Sequence, residues 1–184
     1  LRGAAVLDVG GHVGSFTYTA WKRGAAVVHT YEPLPESLAH LRHNAVHLSG
    51  VKVFGEAVGA GVGQGRFPDP KEVAHSGGWS VIPGDGEVAM VGLDDAILRL
   101  AAVSTTGRVS LLKLDCEGGE WPAFHHATRL DLIDAVRGEW HEYTDVGGRH
   151  WTAADLTGLL PGFVVTVHPP APGATWGLFE AVRA

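Results

Sequence analysis

The chain has 184 residues, 45% of them hydrophobic, which suffices for one domain with a full-sized core. Its formal net charge is −6 and no basic run interrupts it, so nucleic-acid binding by bulk electrostatics is not expected. No apolar stretch approaches bilayer length and no signal-peptide pattern opens the chain, so no membrane partner is expected. The single cysteine, Cys116, forbids an internal disulfide and makes a reducing, cytoplasmic compartment the expectation.

Strand-like and helix-like pieces alternate along the chain. Residues 4–9 form a continuous apolar run ending in glycines, as for a strand covered on both faces. Residues 15–23 read as a helix stopped by Gly24, and 25–31 as a second buried strand. Leu34, Leu38, Leu41, Ala45 and Leu48 make one helical stripe, with Pro35 at its start and Gly50 beyond its end. A third strand is expected over 51–58. The chain starts at Leu1 with its only methionine at Met90, so a segment ahead of it is expected to be absent from this sequence.

Residues 59–92 break the rhythm. They are rich in Gly and Pro and carry a hairpin signal, WSVI then PGDG then EVAMV. A connection this long reads as a functional insertion, a candidate substrate-site loop. Asp94 is placed to cap a short helix over 95–102. The most hydrophobic strand follows at 109–115, then a helix around Trp121, Phe124 and Leu130, then a fifth strand at 133–140. Thr152 and Asp155 form a capping-box pattern. Two closing strands, 163–168 and 175–182, are joined by PPAPGA, too short for a parallel crossover, so they should pair antiparallel. The whole predicts one α/β domain over 1–184, a three-layer αβα sandwich with a mostly parallel seven-stranded sheet that ends in an antiparallel hairpin.

The run VLDVGGHVG, residues 6–14, puts three glycines between a strand and a helix, where a ligand approaches free N–H groups. A P-loop would need GK[ST]; a dinucleotide fingerprint would need glycines where His12 and Ser15 stand. Asp8 would repel a pyrophosphate and suits an ammonium or sulfonium. Glu32, ending the second strand 22 residues after Gly10, is placed to accept both hydroxyls of a ribose. Asp8, Gly10, Gly14 and Glu32 together ask for a nucleoside with a cationic tail, as in S-adenosylmethionine.

These runs, with YEPLPESLAHLRHN, GEAVGAGVGQG, GLDD, LLKLDCEGGEW and GEWHE, resemble the FkbM-type methyltransferases from about Val6 to Glu142. The resemblance implies a Rossmann-like, S-adenosylmethionine-dependent methyltransferase whose relatives methylate hydroxyls of natural products, sugars or glycolipids. It implies that Asp8, Gly10, Gly11 and Gly14 cradle the methionine end, that Glu32 holds the ribose with Pro33 beside it, and that Glu56 and Ala57 flank the adenine. The family more often has a small polar residue where this chain has His12, whose ring would crowd the pocket or point outward.

Methyl transfer to a hydroxyl needs alignment, water exclusion and a base. Asp115 ends the fourth strand; Glu139, His141 and Glu142 end the fifth; Glu117 and Glu120 follow Asp115. His141, with an ordinary pKa of about 6.5, is the expected base, and Asp115 the group that orients the acceptor or the cofactor's amino group. No resident metal is expected; a Mg²⁺ ion on Asp115, Glu117, Glu139 and Glu142 is the disfavoured variant. Trp79 and Trp140 are expected to wall the substrate pocket, Cys116 to pack, and His40, His43, His47, His125 and His126 to lie on solvated helix faces. The acceptor is a small-molecule or sugar hydroxyl. The alternatives are a non-catalytic S-adenosylmethionine-binding module and, less favoured, a nicotinamide-dependent Rossmann oxidoreductase.

Overall fold

A computed structural model describes residues 1–68, 81–145, 147–168, 171 and 173–184. The strands in chain order are β1 (Ala5–Val9), β2 (Val27–Tyr31), β3 (Val51–Phe54), β4 (Ala57–Gly59), β5 (Gly63–Arg66), β6 (Ile82–Pro83), β7 (Val88–Gly92), β8 (Leu111–Leu114), β9 (Ala135–His141), β10 (Tyr143–Thr144), β11 (His150–Trp151), β12 (Phe163–Val167) and β13 (Trp176–Arg183). The helices are α1 (Ser15–Lys22), α2 (Pro35–Ala45), α3 (Leu93–Ala101), α4 (Glu120–His126) and α5 (Leu156–Leu159).

Seven strands form the main sheet in the order β12-β13-β9-β8-β1-β2-β3. All neighbours from β3 to β9 run parallel, while β13 is antiparallel to both β9 and β12. β1 is central because AVLDV is buried at every position, which only a strand with neighbours on both edges and cover on both faces achieves. The pleat divides its side chains. Val6 packs with Val28, Leu111 and Ala20 of α1, and Leu7 and Val9 join the larger core beneath α3 and α4. The first face lacks a described helix over its β9, β13 and β12 end, where Val164, Trp176, Leu178 and Val182 stand exposed.

Three sequence expectations change. The strand expected over 51–58 is two strands. The break at Gly55 and Glu56 sends β4 away from the main sheet to pair with β7. The hairpin expected between the WSVI and EVAMV runs is replaced: β5 inserts between β6 and β7, in a second sheet ordered β4-β7-β5-β6. Residues 79 and 80 of the first run, with Trp79, lie outside the described residues. Asp94 does not cap its own helix. Gly92 is the N-cap, with Asp95 accepting from its N–H, while Asp94 accepts from the backbone N–H groups of Thr128 and Arg129, tying α3 to the chain after α4.

His29 on β2 is 4% exposed, edge-on to the Phe54 ring. Burial, with the charges of Lys52 and Arg99, pushes its pKa down to about 4. A His whose folded pKa is depressed contributes stability that is complete above the unfolded value of about 6.5 and is lost as pH falls through the folded one. Acidification from pH 6.5 to 4 should therefore cost this protein up to about 3 kcal/mol through His29 alone. Urea unfolding at a series of pH values should show that slope in the native chain and lose it in His29→Leu.

Candidate active site

A cavity of about 980 Å³ opens at the carboxyl ends of the central strands. Ligand pockets run roughly 300–1,000 Å³, so it has room for two small molecules side by side. β1 and β2 deliver Gly10 and Glu32 to it, the chain after β8 delivers Asp115 and Glu117, and the second sheet supplies an apolar wall from Val58, Ile82 and Met90. Parallel strands all end on this side, which is why residues distant in sequence meet here.

Glu32 is 7% exposed and organises the glycine loop. One carboxylate oxygen accepts the His12 N–H and the other the Leu34 N–H, each at 2.8 Å. Each oxygen keeps a lone pair, and the group lines the cavity. Of the other expected cofactor residues, Gly10, Pro33, Glu56 and Ala57 also line it.

Asp8, Gly11 and Gly14 do not. Asp8 is wholly buried beneath the loop. Its Oδ2 accepts the Thr17 hydroxyl at 2.6 Å and the Thr30 hydroxyl at 3.4 Å; its Oδ1 lies 3.6 Å from Lys113 Nζ and has no hydrogen bond. Burial pushes its pKa up, against the pull of Lys113. The cation it answers is therefore Lys113, which no sequence motif marks. The same ammonium donates to the Val9 and Gly10 carbonyls at 3.3 and 2.7 Å and lies 3.3 Å from Asp115 Oδ2. Gly11 faces inward, where a Cβ would stand 2.3 Å from Thr30 Oγ1. Gly14 is the left-handed N-cap of α1. Both shape the loop rather than touch the cavity. His12 also takes a left-handed backbone, φ 47, a region in which Asn and His are enriched among non-glycine residues. Its exposed ring sits at the cavity rim and does not crowd the interior.

His141 stands behind the cavity wall rather than in it. Its Nδ1 is 2.8 Å from Glu120 Oε1, which also accepts the His141 backbone N–H at 3.0 Å. Its Nε2 is 3.3 Å from Glu117 Oε2 and 3.9 Å from Glu139. Burial alone would lower the imidazole pKa, but the Glu120 hydrogen bond and charge, with Glu117 and Asp115, outweigh it and raise the pKa. Glu120 is fully buried, and its Oε2 accepts the Gly118 N–H at 2.9 Å. Glu117 reaches the cavity from a left-handed backbone, φ 55, followed by Gly118 at φ 98. Burial pushes its carboxyl pKa up, opposed by His141. Asp115, Glu117 and His141 bring oxygen and nitrogen atoms within 4.8 Å of one another, with Lys113 Nζ 3.3 Å from Asp115 and the His141 ring against Glu117. Glu139 lines a separate, smaller pocket and Glu142 approaches His150, so the four carboxylates of the disfavoured Mg²⁺ variant do not converge on one point.

Trp140 is 4% exposed and belongs to the core, not to the cavity. The aromatic wall is made instead by Tyr143 and Trp151, with His125 and His126 of α4 beside them. Trp151 stacks on Trp121 at 5.9 Å and donates its indole N–H to Asp145 at 3.1 Å. Cys116 lines the cavity, and burial and Glu120 push its thiol pKa well above the ordinary value, which disfavours the thiolate.

The strand order and the glycine loop feeding a cavity at the sheet's carboxyl edge define a Rossmann-like methyltransferase fold. The Methyltransferase FkbM domain model matches residues 8–153, and the chain belongs to that family. A search of curated proteins finds no match. Among solved structures, the chain is similar to an FkbM methyltransferase from Methylobacillus flagellatus KT, with 16% identity and a TM-score of 0.60 over 99% of this chain and 44% of that one. It therefore spans less than half the length of that protein. A putative S-adenosylmethionine-dependent methyltransferase from Listeria monocytogenes is similar at 12% identity and a TM-score of 0.58, over 100% and 92% of the two chains. A putative RNA methyltransferase from Pyrococcus horikoshii is similar at 16% identity and a TM-score of 0.51, over 100% and 76%. No described helix is long and apolar enough to cross a membrane.

Proposed function

We propose that this chain transfers the methyl group of S-adenosylmethionine to a hydroxyl oxygen of a small molecule, natural product or sugar. The observation that carries the reading is Glu32. It is a nearly buried carboxylate whose two oxygens are spent once each on the His12 and Leu34 N–H groups and which presents its remaining lone pairs to the cavity beside Gly10. That is the chemistry a ribose diol needs. Glu56 and Ala57 fit the adenine end, and Gly10 and Asp115 fit the amino-acid end, Asp115 taking the part expected of Asp8.

S-adenosylmethionine supplies an electrophilic methyl on a sulfonium; the rest falls to the protein. Glu117, rather than His141, faces the acceptor. The Glu117 carboxylate, its pKa raised by burial, would take the acceptor's O–H proton as the oxygen gains the methyl and the carbon–sulfur bond breaks to leave a neutral thioether. His141 is the positioning residue. Fixed by Glu120 through Nδ1, it holds Glu117 through Nε2 and compensates the charge of two close carboxylates. A positioned base typically contributes about 10²–10⁴-fold. The apolar wall from the second sheet, residues 59–92 in part, excludes water from the transfer.

Calorimetry tests the cofactor first. S-adenosylmethionine should bind in the micromolar range and NAD far more weakly. Glu32→Ala removes two charge-assisted hydrogen bonds worth about 1.5–3 kcal/mol each and should weaken S-adenosylmethionine binding by about 10²-fold or more. NAD binding in preference, or an unchanged affinity in Glu32→Ala, would overturn the reading.

A further inference from the structure

The amino-acid end of S-adenosylmethionine is a zwitterion. Its ammonium and its carboxylate hang on one carbon, so a site that gives Asp115 to the ammonium must meet the carboxylate close by. Glu32, Asp115 and Glu117 all line the cavity, and each repels an anion. The carboxylate therefore needs a donor of its own.

The glycine loop's amides are largely spent inside the fold. The Gly10 and Gly11 N–H groups both donate to the Tyr31 carbonyl at 3.0 Å, the His12 N–H to Glu32 at 2.8 Å and the Gly14 N–H to the Gly11 carbonyl at 2.8 Å. α1, whose first amides would otherwise serve, contributes no residue to the lining. The nearest ammonium, Lys113, stands outside the lining, tied to the Val9 and Gly10 carbonyls and to Asp115. Four imidazoles remain in the lining, those of His12, His40, His125 and His126. His125 and His126 belong to α4, His125 edge-on to Trp151 and His126 with its Nδ1 3.0 Å from the Pro122 carbonyl. His40 belongs to α2. His12 is on the glycine loop itself, two residues past Gly10. Gly10 is where the loop touches the Asp115 backbone, so the His12 backbone lies within about 7 Å of that contact along the chain.

His12 is also held ready. Glu32 fixes its backbone through the N–H, the Asn44 amide donates to the next carbonyl, that of Val13, at 2.8 Å, and the left-handed φ of 47 turns the chain between them. The exposed ring hangs from this fixed stem and makes no hydrogen bond or ion pair among the described residues, so its N–H is free to donate.

Resting on the methyl-transfer reading, we infer that the His12 ring receives the carboxylate of S-adenosylmethionine and sets the preference for a cofactor with an intact amino-acid end. Asp115 and His12 then read the two charges of the zwitterion separately. The test is calorimetry with two matched probes, S-adenosylmethionine and decarboxylated S-adenosylmethionine, which keeps the sulfonium and the ammonium and lacks only the carboxylate. The native chain should bind the intact cofactor about tenfold or more tighter. His12→Ala should lose about tenfold in affinity for the intact cofactor and leave the decarboxylated probe unchanged. His12→Asn keeps an N–H donor and tolerates the left-handed backbone, and should recover part of the loss. A merely structural role would weaken both probes alike and overturn the inference. So would an unchanged S-adenosylmethionine affinity in His12→Ala, or the selective loss appearing in His40→Ala instead. A native chain that binds S-adenosylmethionine while the His12 variants do not discriminate keeps the methyl-transfer reading and loses this inference. A native chain that binds neither probe loses the reading itself, and this inference with it.

Discussion

Lys113→Met is expected to cost about 3–5 kcal/mol of folding stability, the usual toll of stripping one partner from a buried ion pair. Lys113 Nζ is the only cation beside the wholly buried Asp8 among the described residues, and it also ties the Val9 and Gly10 carbonyls. Methionine fills the volume but leaves Asp8 with two hydroxyl donors against a full charge. The group will answer by holding a proton. Its folded pKa, already raised by burial, moves further above the unfolded value of about 3.8, so the deficit relative to the native chain is smallest in acid and grows as pH rises through that folded pKa. Adding Asp8→Asn removes the charge that needed Lys113, and the double variant should recover most of the loss. Urea unfolding of both single variants and the double one measures this coupling directly. A double variant no better than Lys113→Met would mean that the lysine acts through the glycine-loop carbonyls instead.

The main sheet was legible because buried parallel strands announce themselves. AVLDV and LLKL are near-continuous apolar runs stopped by acids and glycines, and the six-residue PPAPGA link fixed the direction of the last pair. The second sheet was not. β5 reads GQGR, with no apolar period to mark it, and its place between β6 and β7 depends on pairing, not on local pattern. In the site, positions at strand ends were predictable and directions were not. Asp8 and Gly10 are two residues apart on a pleat that then turns. One points beneath the loop while the other meets the cavity. An intrinsic pKa near neutrality singles out His141, yet Glu120, one helix away, fixes it behind Glu117, and a partner 21 residues distant leaves no spacing signal. Tyr143 and Trp151 enter through the small β10–β11 pair, whose two-residue strands carry no periodicity. The one available hint for Lys113 was a lysine inside an otherwise buried strand, which demands an anionic partner.

Gly10→Ala should damage both the fold and the cofactor site, and Gly14→Ala should separate the two effects. At Gly10 the backbone is left-handed, φ +78, and a Cβ would stand 1.7 Å from the Asp115 carbonyl oxygen. That oxygen belongs to the backbone following β8, so no side-chain rotation relieves the clash; β1 and β8 must part at the ends that carry the cavity. Left-handed strain of about 1–2 kcal/mol and overpacking of about 1–3 kcal/mol add to an expected loss of about 2–5 kcal/mol. Gly14 carries the same kind of strain, φ +96, but its Cβ would meet only the Leu41 Cδ1 methyl, at 2.9 Å, the far end of a side chain that can turn. Gly14 also lies off the cavity. Its alanine variant should lose about 1–2 kcal/mol and keep its S-adenosylmethionine affinity. Thermal unfolding and calorimetry on both variants give the comparison. Equal losses of affinity would place the ligand along the whole loop; a loss confined to Gly10→Ala would place it where the first glycine and Asp115 meet.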